Sequence, residues 1–343
     1  MSPEGSAPGA LRSVELPRFQ PRPPWIGGDL QTLRNSLRPF PDLSGWCAER
    51  LILPLPDGDR LLGLLQKGYT ERPLVLLLHG LTGSEASHYV RATTAVFLSA
   101  GWSVLRLNLR GAGPSGPLCR QGYHSGRSED LRLALQVLRR SQPHLLERGV
   151  IPVGYSLGGN IVLKMLGEGG LPVAVPAAAS VSAPIDLAEA QRCLMRPRNA
   201  LYQRYLLNAM RAELFASAQP LTEEERRAAE QARTVLAFDD ALTAPRNGFA
   251  GALDYYARSS ALPLLGRIAV PTLLMHAEDD PWIPVEAYRS PSIDANPNLT
   301  RLLAPGGGHV GFHGRGSLIP WHDRCLLRFF SALVGAGPAF SLR

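Results

Sequence analysis

The residues most able to do chemistry in this chain are a serine, an aspartate and a histidine met in that order. Gly154-Tyr155-Ser156-Leu157-Gly158 fits the pattern G-x-S-x-G. With 34 glycines in the chain the pattern alone is weak, and its context gives it force. The apolar run Val150 to Val153 precedes it and Asn160 to Leu166 follows it as a candidate helix, so the sequence reads strand, sharp turn, helix. A nucleophile on so tight a turn leaves no room for flanking side chains, which accounts for Gly154 and Gly158, and the helix start aims backbone N–H groups at developing negative charge.

A serine hydroxyl is protonated at neutral pH and needs a base, and the base needs an acid to orient it. Asp280 lies just beyond the apolar run Thr272 to His276, with Asp279 beside it and Asp186 after another strand end as alternatives. His309 follows the run Leu299 to Leu303 and the turn Gly306-Gly307-Gly308, with His313 as the other histidine in reach. The order serine, acid, histidine is the one that accompanies G-x-S-x-G on an open α/β sheet. The oxyanion donors expected there are the amide after the nucleophile, Leu157, and one from the loop His79-Gly80-Leu81, for which Leu81 is the candidate.

Positioning these side chains requires a sheet. Leu74 to His79, Ser103 to Leu107, Val150 to Gly154, Ala174 to Ser180 and Thr272 to His276 are short apolar runs suited to central parallel strands covered on both faces. Arg50 to Leu55 and Arg60 to Gln66, joined across Pro56-Asp57-Gly58-Asp59, read as an antiparallel hairpin. Ser128 to Arg140 is the clearest helix, with Ser128 as a capping candidate, Glu129 and Asp130 at its positive end, and Leu131, Leu135 and Leu138 at helical spacing. Strand and helix alternate, which predicts an α/β fold with a mostly parallel central sheet and helices on both faces. The stretch from about 186 to 262 breaks that rhythm. It is charged and helix-forming, as in Thr222-Glu223-Glu224-Glu225-Arg226-Arg227, and reads as a helical cap inserted into a single domain spanning 25–343. Residues 1–24 are rich in Pro, Gly and Ser and read as a flexible arm.

The residues together resemble the YheT-like branch of the alpha/beta hydrolases, which includes bacterial predicted carboxylesterases and animal abhydrolase-domain lipases. The resemblance runs through His79-Gly80-Leu81-Thr82-Gly83-Ser84, Asn108-Leu109-Arg110-Gly111, Tyr123-His124-Ser125-Gly126 with Glu129-Asp130, Gly154 to Asn160, Phe238-Asp239-Asp240 and Asp279-Asp280-Pro281. Asp29-Leu30-Gln31-Thr32-Leu33 resembles the branch's early His-Leu-Gln-Thr segment, with Asp29 in place of the histidine. The acid of the superfamily often lies in Gly-x-x-Asp-x-x-x-Pro, and Ala277, Asp280 and Pro284 occupy that frame, so the resemblance favours Asp280 over Asp279. It implies the alpha/beta-hydrolase fold and hydrolysis of carboxylic esters, short- to medium-chain acyl esters or acyl lipids, with no cofactor. An acyltransferase using the same residues and a non-catalytic binding protein on the same fold are the rival readings.

Several other patterns read as structure. Gly111-Ala112-Gly113-Pro114-Ser115-Gly116 fits the dinucleotide fingerprint G-x-G-x-x-G, but that motif must open a helix, and Pro114 and Pro117 make this one a loop. His309 and His313 stand at a zinc-like spacing in a glycine-rich loop that no Cys or Glu completes, so no metal site is expected. Tyr123-His124-Ser125-Gly126 reads as a loop anchoring the helix at Ser128 rather than as extra catalytic machinery, and Arg192 to Arg211, with Leu201, Tyr202 and Tyr205, as a cap helix facing its own pocket rather than a lipid surface. The formal charge of +7 is dispersed, carried almost wholly by arginine beside Lys67 and Lys164, and no nucleic-acid motif accompanies it. Four scattered cysteines and the lack of a signal-like apolar segment point to the cytoplasm, and no apolar run is long enough for stable membrane insertion.

Overall fold

A computed structural model describes residues 14–69 and 71–335. Eight strands form one sheet in the order β1-β2-β4-β3-β5-β6-β7-β8. β1 (Ala48–Pro54) and β2 (Arg60–Gln66) pair antiparallel, as the turn between them predicts, and β2 meets β4 (Val104–Leu107) antiparallel. From β4 onward every pair is parallel: β3 (Leu74–Leu78), β5 (Val150–Tyr155), β6 (Ala178–Val181), β7 (Thr272–Ala277) and β8 (Leu299–Ala304).

Every residue of β3 and of β5 is buried, the pattern of strands covered on both faces. Side chains alternate across the sheet, so Leu74, Leu76 and Leu78 enter one core while Val75 and Leu77 enter the other. The first core is closed by α3 (Ser128–Ser141) and α4 (Leu157–Glu168), and the second by α2 (His88–Ser99) and α12 (Trp321–Leu333). Each fully buried leucine in these layers is worth about 1.5–3 kcal/mol relative to exposure, so the centre of the sheet is the stiffest support in the molecule.

Two local details differ from the sequence expectation. β6 begins at Ala178 rather than Ala174, since Pro176 has no N–H to give a ladder and the preceding valines pack against the core from outside it. Ser128 is the first helical residue of α3 rather than its cap, and its hydroxyl donates to Glu168 of α4 at 2.7 Å, tying two helices together.

Between β6 and β7 the chain is helical: α5 (Leu187–Leu194), α6 (Ala200–Phe215), α7 (Glu223–Gln231), α8 (Val235–Phe238), α9 (Ala244–Arg246) and α10 (Ala252–Ser259). Leu194, Leu206, Leu207, Met210 and Phe238 form a small core of their own there. α11 (Pro291–Asp294) is a single turn before β8.

Of the arm expected over residues 1–24, residues 1–13 lie outside the described residues. From Val14 onward the segment is docked: Phe19 is buried against Phe312 and Trp321, the Trp321 indole donates to the Pro17 carbonyl at 2.6 Å, and Pro21 bridges to Gly314. The segment leads into α1 (Gly28–Leu37), which lies across the loop that follows β8.

Candidate active site

Ser156 stands at the turn between β5 and α4 with φ at 50°, a left-handed backbone that is strained for a residue with a side chain. The glycines around it are there for space. A Cβ on Gly154 would lie 2.2 Å from the Gly158 carbonyl oxygen, and one on Gly158 would lie 2.4 Å from that of His79. Leu157 opens α4, where an amide has no intrahelical acceptor and points out of the helix end.

His309 reaches this serine from the loop after β8, three strands along the sheet. Its Nε2 is 2.9 Å from Ser156 Oγ, and its Nδ1 is 2.9 Å from Asp280 Oδ2. Asp280 follows β7 and its other oxygen accepts from the amides of Trp282 at 2.9 Å and Ile283 at 3.1 Å. Burial works against a charge there, but the charge and hydrogen bond of His309, the nearby His276 and the Trp282 amide outweigh it and hold the carboxyl below the usual range. The Trp282 ring stacks on the imidazole at 4.3 Å and fixes its plane. The alternatives are engaged elsewhere: Asp279 accepts from the Gly308 amide at 2.8 Å, Asp186 caps α5 through the Glu189 amide, and His313 has one ring nitrogen against Arg34 and the other 2.9 Å from Asn35 Oδ1.

Leu81 sits on the loop after β3, and with Leu157 it borders the same cavity as Ser156 and His309. The loop is held from three sides. Tyr89 accepts from the Gly80 amide at 2.9 Å, Tyr123 accepts from the Thr82 amide at 2.7 Å, and His79 donates from Nδ1 to the Gly80 carbonyl at 2.8 Å while Nε2 accepts from the Leu109 amide. Burial pushes the His79 imidazole down to about 4, so it stays neutral and suits that role. Tyr123 in turn donates to Glu213 of α6 at 2.8 Å. The segment Tyr123-His124-Ser125-Gly126 therefore braces the loop bearing Leu81, and through the Ser125 carbonyl, which accepts from Asn160 at 2.8 Å, it braces α4 as well. From the sequence it reads as an anchor for α3, so its hold on the Leu81 loop and on α4 is a further structural role.

The histidine loop depends on α1. Thr32 Oγ1 accepts from the His309 amide at 2.8 Å and donates to the Gly28 carbonyl at 2.7 Å. Gln31 pairs with both backbone groups of His313, and Asn35 donates to the Val310 carbonyl at 2.8 Å. Gly308, Val310 and Phe312 all have positive φ, and a Cβ on Gly308 would lie 2.2 Å from the Gly28 oxygen. Thr32, Gln31 and Asn35 were not legible as site residues; the signal available was the polar set Gln31, Arg34 and Asn35 at helical spacing among leucines. At the other end of α1, Asp29 accepts from Tyr202 at 2.9 Å and pairs with Arg198 at 3.0 Å, so the helix joins the histidine loop to the segment between β6 and β7.

The cavity above Ser156 measures about 710 Å³. Its walls include Leu187, Leu194, Leu206 and Val235 from the helical segment and Trp282 and Ile283 from the loop after β7. Such an apolar chamber with a few convergent polar groups suits a small molecule with an apolar body. Among the described residues no group of three or more His, Cys, Asp or Glu is placed to hold a metal ion, and no helix is long and apolar enough to cross a membrane.

Residues 73–315 match the family model for the alpha/beta hydrolase fold. YheT of Escherichia coli (strain K12), a protein named as an esterase, is 35% identical over 78% of this chain and 79% of its own length. A monoacylglycerol lipase of Saccharomyces cerevisiae is 28% identical over 75% of this chain and 59% of its own. Among solved structures, an esterase of Pyrococcus furiosus superposes with a TM-score of 0.59 over 94% of this chain and 98% of that one, at 18% identity, a likeness of fold.

Proposed function

This chain belongs to the alpha/beta hydrolase family as an ester hydrolase, and from that premise we propose that it cleaves carboxylic esters through Ser156, His309 and Asp280 by way of an acyl-enzyme. His309 Nε2 takes the proton of Ser156 as Oγ attacks the ester carbonyl carbon. The tetrahedral oxyanion lies against the amides of Leu157 and Leu81, which act there without reorganising. Collapse breaks the bond to the leaving alcohol, which departs with the proton from His309. Water then gives a proton to the same nitrogen, attacks the acyl carbonyl and releases the carboxylic acid, and Ser156 recovers its proton. Asp280 stays ionised throughout and holds the imidazole in the tautomer with the proton on Nδ1.

The observation that carries this reading is the unbroken chain of two 2.9 Å contacts from Ser156 through His309 to Asp280 at the floor of an apolar cavity. The helical segment between β6 and β7 serves as a cap that selects the acyl part, because Leu194, Leu206 and Val235 form the wall that an acyl chain would meet. The cavity volume suits short- to medium-chain acyl groups or one chain of an acyl lipid, in line with the lipase named among the relatives.

Hydrolysis of p-nitrophenyl esters over a range of acyl lengths, with fluorophosphonate labelling alongside, tests the proposal. Wild type should turn over and label, and Ser156→Ala should do neither, with kcat down by about 10⁶. Labelling of Ser156→Ala at the wild-type rate would overturn the assignment of the nucleophile.

A further inference from the structure

α1 is built inside out. Its buried residues are the polar Gln31 and Arg34, whereas Leu30, Leu33 and Leu37, at helical spacing along one face, stand in solvent, Leu37 70% exposed. Ile26 before the helix and Phe40 after it are exposed as well, at 58% and 62%. A helix of a water-soluble domain turns its apolar stripe inward, so the reversed arrangement needs another cause. Part of it is already plain: the polar stripe holds the histidine loop. That does not require leucines on the opposite side, where any polar residue would serve.

The exposed stripe borders the mouth of the cavity. Leu33 of α1 and Leu201 and Tyr205 of α6 line it, with Leu201 81% exposed and Tyr205 64%, so that α6, expected from sequence to face only its own pocket, turns these side chains to solvent as well. Exposed apolar side chains of α1 and α6 thus border the cavity above Ser156, and exposed apolar surface at such a site marks an interaction surface. Its flank is cationic. Arg22, Arg34 and Arg38 crowd one another; burial and then this mutual repulsion lower Arg34 and Arg38 from the usual guanidinium range. Their partners are neutral: Arg34 meets His313 and the Trp25 ring, and Arg38 meets the Leu318 carbonyl. Arg204 is exposed one residue before Tyr205.

We propose that this face, formed by Ile26, Leu30, Leu37 and Phe40 beside Leu201 and Tyr205, docks reversibly on an anionic lipid surface and opens the cavity directly onto it. Apolar side chains enter the acyl boundary while the half-buried Arg22 and Arg38 and the exposed Arg204 meet the headgroup anions, the division of labour of an interfacial helix. A second copy of the chain fits less well, because a two-fold contact brings the same patch against itself and would set like charges face to face. The nature of the substrate drawn from that surface rests on the ester-hydrolase reading. The docking itself does not.

Sedimentation of the full chain with vesicles of phosphatidylcholine alone, or of phosphatidylcholine with phosphatidylglycerol, tests this. Wild type should partition onto the phosphatidylglycerol vesicles, and less so in high salt. Leu37→Ser with Phe40→Ser should lower that partition by about tenfold or more with an unchanged melting temperature, and Leu30→Ser alone should lower it by a smaller factor. Ser156→Ala should bind vesicles as wild type does, which separates docking from catalysis. Wild type remaining in the supernatant with phosphatidylglycerol vesicles, or equal binding by the double variant, would overturn the proposal. So would a wild-type dimer that the double variant splits without any vesicle binding by either.

Discussion

The two loops that bring Ser156 and His309 together are held by opposite means. The serine turn is supported from within: Gly154 and Gly158 sit two residues either side, and α4 begins at the next residue. The histidine loop has four positive-φ residues, Gly307, Gly308, Val310 and Phe312, and is supported from far away in sequence, by Thr32, Gln31 and Asn35 of α1. The difference teaches where the information for each half of the site resides. A turn that enforces its own geometry can be read from a handful of neighbouring residues. A loop that borrows its geometry can be read only once the chain has brought the lender alongside.

The largest expected effect lies where the two loops meet. Asp280→Asn should cut kcat by about 10⁴ through loss of the correct imidazole tautomer, measured with a soluble p-nitrophenyl ester. A loss of tenfold or less would mean that the contact to His309 is only structural. Next, Gly158→Ala attacks the local support, since the new Cβ would press on backbone oxygen. Unfolding free energy should fall by about 3 kcal/mol, read from denaturant titration, together with activity.

Thr32→Val attacks the borrowed support and should act differently. The valine fills the same space but cannot accept from the His309 amide, so kcat should drop by about 10- to 100-fold with KM little changed, while Thr32→Ser should restore most of it. Equal kcat in the valine variant would show that α1 merely packs against the loop.

The smallest effect concerns the loop bearing Leu81, braced through Tyr123 by Glu213. Burial raises the Glu213 carboxyl to about 7, from an ordinary 4.5. Because the folded state keeps this proton longer than the unfolded state, the contribution is full below about pH 4.5 and declines as pH rises towards 7. Glu213→Gln should flatten that decline, a change on the order of 1 kcal/mol after allowance for partial solvent access, seen by comparing denaturant midpoints at pH 5 and pH 8. The same slope in both proteins would place the titrating group elsewhere.

Legibility in the sequence follows the same division. β3 and β5 were readable because burial on both faces demands unbroken apolar runs, and Ser156 because its constraints fall within five residues. Chain order and the preceding strands pick out Asp280 and His309 as candidates, and their 2.9 Å contact is consistent with that reading. Asp279 could be set aside only when its carboxylate was seen to accept from Gly308 rather than to face His309. Helical content between β6 and β7 was visible in composition, while the choice of Leu194, Leu206 and Val235 as cavity wall was not, since it depends on how six helices lie over the sheet. Thr32 was least readable of all: a threonine on a short helix becomes a site residue only through a hydrogen bond spanning 277 positions.

That span has a consequence for synthesis. α1 is made long before the backbone groups its polar stripe receives, those of residues 309–313, which lie some 277 to 282 positions later. While the chain is being made, the helix carries leucines on one side and unmatched Gln31, Thr32 and Asn35 on the other, with nothing to dock against. The serine turn can form as soon as β5 and α4 exist, whereas His309 lies 153 positions further on, and contacts of such separation must wait for the chain between them to be made and to close. On the triad proposed above, the serine turn is thereby shaped before the histidine that would activate it can arrive, so the partly made chain carries the first half of the site without its second.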